Sequence, residues 1–530
     1  MTKNLDCIII GGGHNGLVAA AYLAKAGKKV TVLEKRDVLG GCASTEELWP
    51  GFKVSVASYV ISLFQPQIIK DLKLKENGLK ILPRNPSSFT PDLNGPGLVL
   101  GRNSKRNYEE IFYYSEEDAI NYPKYEKHLE DIVEKIEPLF SEIPPNIFPS
   151  SRKQSFFKKI SELRKAYSLG KDIYSLGDQF PEFFKLMTQD ATRILEEWFE
   201  SDILKTTLAT DAIIGSFNSP SQKGSAYVLF HHVMGEAGGA RGVWGYVQGG
   251  MGGIADALVK TCDDLDVVIK SEIEVRNLKI NDQGRVTAVD TNNGAFEADI
   301  VVSTLDANLT FKYLVGYDNL PKEFVNEVDH IDYSSASMKI NLALDRLPEF
   351  KTKKRNYPFL TGTMHIPSSM QKMEEAFYDA KFGSPSKYPI LEISIPTTVD
   401  DTIAPEGKHI MGIFVQYFPY DKEIDHLKDS FADKCIDIID DHAQGFKDSI
   451  LYKQVLSPLD LEKKYGVTGG NIFQGSMDLS NIGPFRPVMG WNYRTPIKGL
   501  YIGGASAHPG GGVMGIPGKN AAEVILRDTS

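Results

Sequence analysis

The chain has 530 residues, enough for a large core and more than one domain. Its net charge of −10 argues against a nucleic-acid partner, and its 42% hydrophobic and 24% charged residues are ordinary for a soluble globular protein. The four cysteines, Cys7, Cys42, Cys262 and Cys435, are scattered with no C-x-x-C pair. That spacing suggests neither a redox dithiol nor a zinc site, and it fits a reducing compartment. No run reaches the roughly 18 apolar residues that span a bilayer. The first strand is expected about six residues after Met1, so no signal peptide is expected.

The chain is organised around its N-terminal stretch. Cys7 to Ile10 is an apolar run that suits a strand buried on both faces. Gly11, Gly13 and Gly16 follow with G-x-G-x-x-G spacing. Leu17 to Lys25 reads as a helix ended by Gly27, and Lys29 to Leu33 as a second strand closed by Glu34. Glu34 stands 21 positions after Gly13, close to the offset of about 20 expected of a ribose-binding acid. Each residue type has a physical task. Gly11 allows the tight turn, Gly13 lets backbone amides approach a pyrophosphate, and Gly16 lets the helix lie close to the strand. The free amides at the helix N-terminus attract phosphate charge. Glu34 can accept bonds from two ribose hydroxyls. The bland alternative is a glycine-rich βα turn.

Gly40 and Gly41 follow the second strand and suit another close approach, to the second phosphate or a flavin ring; a plain turn is the alternative. Cys42 is either a small buried thiol or a flavin contact. Pro66 can open a helix to Lys75, and Pro83 to Gly97 reads as loop. Ser115 to Leu139 reads as a helix broken by Pro144 and Pro145. Phe156, Ile160, Leu163 and Tyr167 then recur at helical spacing. Between Arg152 and Lys171 there are seven basic residues against one acid, Glu162. Such a helix either packs on its own domain with a solvated basic face, the commoner case, or lies on an anionic membrane.

Ser201 to Gly215 reads as another helix. Gly238 to Gly253 holds eight glycines in 16 positions, which implies backbone passing close to something. Ile254 to Thr261 is expected to be helical, Val267 to Val275 and Val286 to Thr291 to be strands, and Ala298 to Thr304 to be a buried strand returning to the nucleotide site. Lys339 to Leu344, Ile390 to Ile395 and His409 to Tyr417 read as strands and Phe431 to His442 as a helix. No catalytic cluster stands out in this part. His365 and His409 are isolated, with solvent or structural roles as the default. Gly499 to Gly504 reads as a strand ending in glycines, and Lys519 to Asp528 as a helix. One nucleotide site built from residues near 11, 245 and 510 would account for all three glycine stretches. A flavin dinucleotide, longer than one loop can cover, would need them all.

The N-terminal fingerprint, Tyr246 to Gly252, Gly470 to Phe473, Phe485-Arg486-Pro487, Tyr493 to Pro496 and Gly504 to Gly515 together resemble the phytoene desaturase-like family of FAD-dependent oxidoreductases, nearly end to end. The resemblance implies an α/β fold with an α+β insertion. A Rossmann-like FAD-binding domain of the glutathione-reductase or amine-oxidase type would carry a mixed-sheet and helical substrate domain. Residues 1–85, 221–310 and 455–530 would form the discontinuous FAD-binding domain; 86–220 and 311–454 would form the substrate domain, with a helical part that could face a membrane. FAD would be held by Gly11, Gly13, Gly16, Glu34, Lys35, Arg36, Gly40 and Gly41 at the adenosine–pyrophosphate end, by the Val275 backbone at adenine, and by Gly504, Gly511, Gly512, Val513 and Met514 toward the flavin. No metal is implied, and no catalytic side chain is assigned.

The expected reaction is hydride transfer from an apolar small molecule to flavin N5. The alternatives are a flavin amine oxidase, with Trp244 and Tyr246 as the aromatic pair against the ring, or a protein-binding scaffold in which FAD is structural. The expected location is cytoplasmic with optional peripheral membrane contact, or the mitochondrial matrix in a eukaryote. A homo-oligomer is compatible with the sequence.

Overall fold

The computed structural model describes residues 6–146, 156–237, 240–241, 243–352, 358–366 and 369–530. Its first sheet has five parallel strands in the spatial order Val268–Lys270, Lys29–Leu33, Asp6–Ile10, Ile300–Ser303 and Leu500–Ile502. Ile8 to Ile10 and Ile300 to Ser303 are buried throughout, as their continuous apolar runs require of central strands covered on both faces. Helix His14–Lys25 packs on Gly253–Asp264 and on the C-terminal helix Ile516–Thr529. Its Ala19, Ala20 and Ala21 have no exposed surface, which small side chains make feasible at close helix contacts. This sheet therefore draws on both ends and the middle of the chain.

Val267 to Val275 is not one strand. Val268–Lys270 joins the parallel sheet, and Val275–Ile280 starts an antiparallel meander with Val286–Thr291 and Gly294–Glu297. Between them Glu272 has φ +59°, a left-handed residue that redirects the chain.

The second large sheet has seven strands in the order Ile450–Leu456, Ser337–Leu344, His409–Gln416, Ile390–Ser394, Thr363–Ile366, Ser88–Thr90 and Leu98–Leu100. Two of its strands come from or adjoin the proline-rich stretch read as loop: Ser88–Thr90 and Leu98–Leu100 are three residues each, too short for periodicity to reveal. Pro66 does open a helix, but it runs only to Asp71.

Helices Glu116–Ser141, Phe156–Ser175, Asp202–Ala209 and Ser225–Val233 come between Leu98–Leu100 and Ser337–Leu344 in the chain, and the first packs on the second and the fourth. The segment read as one helix from Ser201 to Gly215 changes at Ala209 into a 3₁₀ turn, Thr210–Ala212. Thr206 and Thr207 both donate to the Ile203 carbonyl and Thr210 donates to that of Thr207, so hydroxyls crowd the helical ladder there. Along Phe156–Ser175, Leu163 and Tyr167 are 63% and 78% exposed, so these two do not pack on the rest of the chain. Arg152 and Lys153 lie outside the described residues. No helix among the described residues is long and apolar enough to cross a membrane.

Candidate active site

A cavity of about 1300 Å³ runs from the first parallel strands to the face of the seven-stranded sheet. At one end it is lined by Gly11, Gly13, Gly16, Glu34, Gly40 and Gly41. Gly11 has φ +101°, which only glycine adopts cheaply, and turns the chain out of the strand. A Cβ on Gly16 would lie 2.1 Å from the Gly11 carbonyl oxygen, so glycine is needed there for packing. At Gly13 a Cβ would find nothing closer than the Gly41 Cα at 3.9 Å. The open space above Gly13 would accommodate a pyrophosphate. Gly13 is the N-cap of His14–Lys25 and supplies no side-chain cap, so the first amides of that helix stay free for an anion. Gly40 donates its amide to the Gly12 carbonyl at 2.9 Å and pairs with Gly13, which sets the two glycine turns side by side.

Glu34 is buried and already held: Oε2 accepts from the Gly12 amide at 2.7 Å and Oε1 from the Arg36 amide at 2.9 Å. Each oxygen keeps a lone pair for a ribose hydroxyl. Lys35 pairs with Glu274 at 2.7 Å on the surface, while Arg36 pairs with Glu46 and lies over the Tyr465 ring at 5.0 Å. Both line the cavity, as do Ile273 and Val275. Cys42 also lines it, with burial pushing its thiol up to about 11.

The C-terminal loop closes the cavity with Ala505, Gly512 and Val513. Gly504, Gly511 and Met514 do not reach it. A Cβ on Gly504 would meet the Thr304 carbonyl oxygen at 2.2 Å and one on Gly511 would meet Phe473 at 2.2 Å, so these glycines press backbone against backbone or ring. Arg486 fastens the loop. It is fully buried, and it donates to the carbonyls of Phe473 at 2.6 Å, Ser476 at 2.8 Å, Ala505 at 3.0 Å and Asn481 at 3.1 Å. His14 and His231 flank Gly512; burial pushes the first down to about 4 and the second to about 3, so both are neutral near pH 7.

The middle glycine stretch has another use. Gly252 donates to Thr45 Oγ1 at 2.8 Å, Gly245 pairs in strand Gly245–Val247 against Ile81–Pro83, and none of the glycines from 245 to 253 lines the cavity. These glycines set their backbone against protein, while Val243 and Trp244 of the same stretch line the cavity. Gly238, Gly239 and Gly242 lie outside the described residues. The aromatic pair also separates. Trp244 precedes the strand, lines the cavity and faces His232 with ring centres 5.8 Å apart. Tyr246 is inside the ladder and sends its hydroxyl to the Thr361 carbonyl at 3.4 Å.

The far end of the cavity holds what the sequence did not disclose. Strand register aligns Lys339 with Phe414, Phe414 with Glu392, and Glu392 with His365. All four line the cavity, so one row across four strands projects to one face. Tyr59 caps the row: its ring lies 4.7 Å from Lys339 Nζ and its hydroxyl bonds Glu392. Burial pushes Lys339 down to about 7, opposed by Glu392. It pushes Glu392 up to about 7, with Asp211 adding to the rise and Tyr59 opposing it. Asp211, presented by the 3₁₀ turn, is likewise raised by burial to about 7. His365 is not isolated: it faces the cavity, sits 3.1 Å from Thr210 Oγ1, and is pushed by burial to about 3. The signal was present as charges, Lys339 and Glu392, within otherwise continuous apolar strands, where an ionisable side chain needs a reason.

No metal-binding cluster occurs among the described residues, and the four cysteines form no disulfide. A family profile described as flavin containing amine oxidoreductase matches residues 16–526. Pyridine nucleotide-disulfide oxidoreductase domain-containing protein 2 of Rattus norvegicus is 42% identical, over 99% of this chain and 93% of its own. A 4,4'-diapophytoene desaturase of Staphylococcus aureus is 23% identical over 95% of each chain. The crystal structure of an oxidoreductase from Methanosarcina mazei superposes with a TM-score of 0.61 at 16% identity, covering 99% of this chain and 100% of that one. The free helix amides, the open Gly13 and the Glu34 carboxylate are groups that would suit the cofactor of that family, and an enzyme replaces the scaffold reading. The chain belongs to the flavin-containing amine oxidoreductases and is an FAD-dependent oxidoreductase.

Proposed function

We propose that this chain removes a hydride from a C–H bond of a largely apolar small molecule bound in the cavity beyond the glycine turns. FAD, when bound, supplies the hydride acceptor at N5. The observation that carries the reading is the continuity of the cavity: one space joins the dinucleotide cradle to apolar walls that include Leu129, Val133, Leu208, Ile214 and Leu229. These walls orient the substrate and exclude water. The Phe414 ring, in the polar row, keeps Lys339 and Glu392 apart while leaving both open to the cavity. With Lys339 and Glu392 both poised near 7, this end can take up or release a proton as the substrate is oxidised.

An amine is the second reading, supported by the carboxyl groups of Asp211 and Glu392. Anaerobic titration of the yellow protein tests both. Loss of the flavin's visible absorption with terpenoid or other apolar donors supports the first reading, and loss with alkylamines alone supports the second. An FAD-loaded protein that no donor reduces overturns both.

A further inference from the structure

Arg84 follows strand Ile81–Pro83 and precedes Pro86, at the rim of the polar row. It lines the cavity and is only 5% exposed. Its Nε and Nη1 have no hydrogen-bond partner. No carboxylate of the described residues lies within ion-pair distance of it, although it acts on Asp211 through space. The Tyr246 ring lies 5.9 Å from its Cζ and its hydroxyl interacts with the guanidinium, which also acts on Glu392 through space. A buried guanidinium with two vacant N–H groups and no ion pair is costly, and a ligand that accepts from those groups offsets the cost.

We propose that Arg84 anchors a carboxylate head group, so that the substrate of this cavity is an apolar organic acid. The proposal rests on the reading of the cavity as a substrate site and names the substrate's class.

The surroundings select this chemistry. An ammonium would sit beside the guanidinium and be repelled. A hydroxyl could accept from one vacant N–H but would leave the charge uncompensated. A carboxylate supplies opposite charge and several lone pairs, and its bonds to a guanidinium are charge-assisted. Asp211 and Glu392 do not displace it. Neither makes an ion pair with Arg84, and burial raises both to about 7, so their protonated forms can donate to the same head group. The chain behind the head then runs along Tyr125, Leu129, Val133 and Leu208, which line the same space.

The test uses the full-length, FAD-loaded protein with dodecanoic acid, dodecan-1-ol and dodecylamine, each below its micelle concentration. Binding is read from the perturbation of the flavin spectrum. The acid is expected to bind at least about tenfold tighter than the alcohol or the amine. Arg84→Met should remove that preference while flavin content stays constant, and Arg84→Lys should keep part of it. Equal binding of the three probes, preference for the amine, binding of none, or an equal loss of all three in Arg84→Met would overturn the proposal. If Arg84→Met does not fold, the wild-type preference and the lysine variant decide. Flavin content is measured first: protein that takes up no FAD fails the earlier reading, whereas loaded protein that ignores the head group fails only this one.

Discussion

The Tyr59 hydroxyl donates a 2.5 Å hydrogen bond to Oε1 of Glu392, while Oε2 of the same carboxyl has no partner. Tyr59 and Glu392 are 333 positions apart, and the bond ties the loop after the second glycine turn to the middle of the seven-stranded sheet. A donor bonded to the carboxylate favours its charged form, so Tyr59 opposes the upward push of burial. Tyr59→Phe should move the Glu392 titration further to the alkaline side by about one unit. Infrared detection of the protonated carboxyl across pH 6 to 9 measures it. An unshifted titration would show that the bond does not set the protonation of Glu392.

Lys339 gives a stability prediction with a definite sign. Its folded value, about 7, lies below the ordinary 10.5, so between these limits the folded protein binds fewer protons than the unfolded chain. The Lys339 contribution therefore stabilises more as pH rises from 7 to 10.5, and its cost is fully present below 7. The groups facing it are Tyr59, which lies against the ammonium, and Glu392, which offsets part of the cost. Lys339→Met should melt higher than wild type at pH 6.5, with the gap shrinking toward pH 10. Thermal melts at four pH values check this; a gap independent of pH would mean that packing, not charge, governs the site.

Two glycines of the fingerprint should fail differently. Gly13 has ordinary φ of −69° and open space at its Cβ position, so Gly13→Val should fold. The side chain would occupy the pyrophosphate space and cost at least two charge-assisted bonds of roughly 1.5 kcal/mol each, or about a hundredfold in FAD affinity. In Gly16→Val the new Cβ would overlap the Gly11 carbonyl, and the variant should be poorly soluble or unfolded. Circular dichroism and flavin titration separate the two outcomes. Wild-type flavin occupancy in Gly13→Val would place the phosphates elsewhere.

Cys42 lies against the cavity with no cysteine partner, and its thiol stays protonated in neutral solution. A protonated thiol is a poor nucleophile. Cys42→Ser should therefore keep flavin content and reduction rate within about twofold of wild type. A large loss of turnover at full FAD occupancy would demand a thiol step.

The cradle was legible because its parts are contiguous: strand, three glycines, helix and Glu34 all fall within residues 7–34. A loop of that kind announces its backbone geometry in its own residues. The polar row was not, because Lys339, Glu392 and His365 meet only through sheet register, which no local spacing encodes. Asp211 was hidden for a different reason: the threonines that end its helix early look, in sequence, like ordinary helix residues. The glycines near 250 are ambiguous in sequence because a close approach to Thr45 demands the same residue as a close approach to a phosphate. Arg84 carried no signal, since its burial follows from a three-residue strand too short to read.

The parallel sheet takes its last strand, Leu500–Ile502, from the end of the chain, and the cavity wall is finished by Gly512 and Val513. A ligand that fills the cavity touches the Gly11–Gly16 turn and Gly512–Val513 at once, so its binding free energy also resists the separation of these two segments.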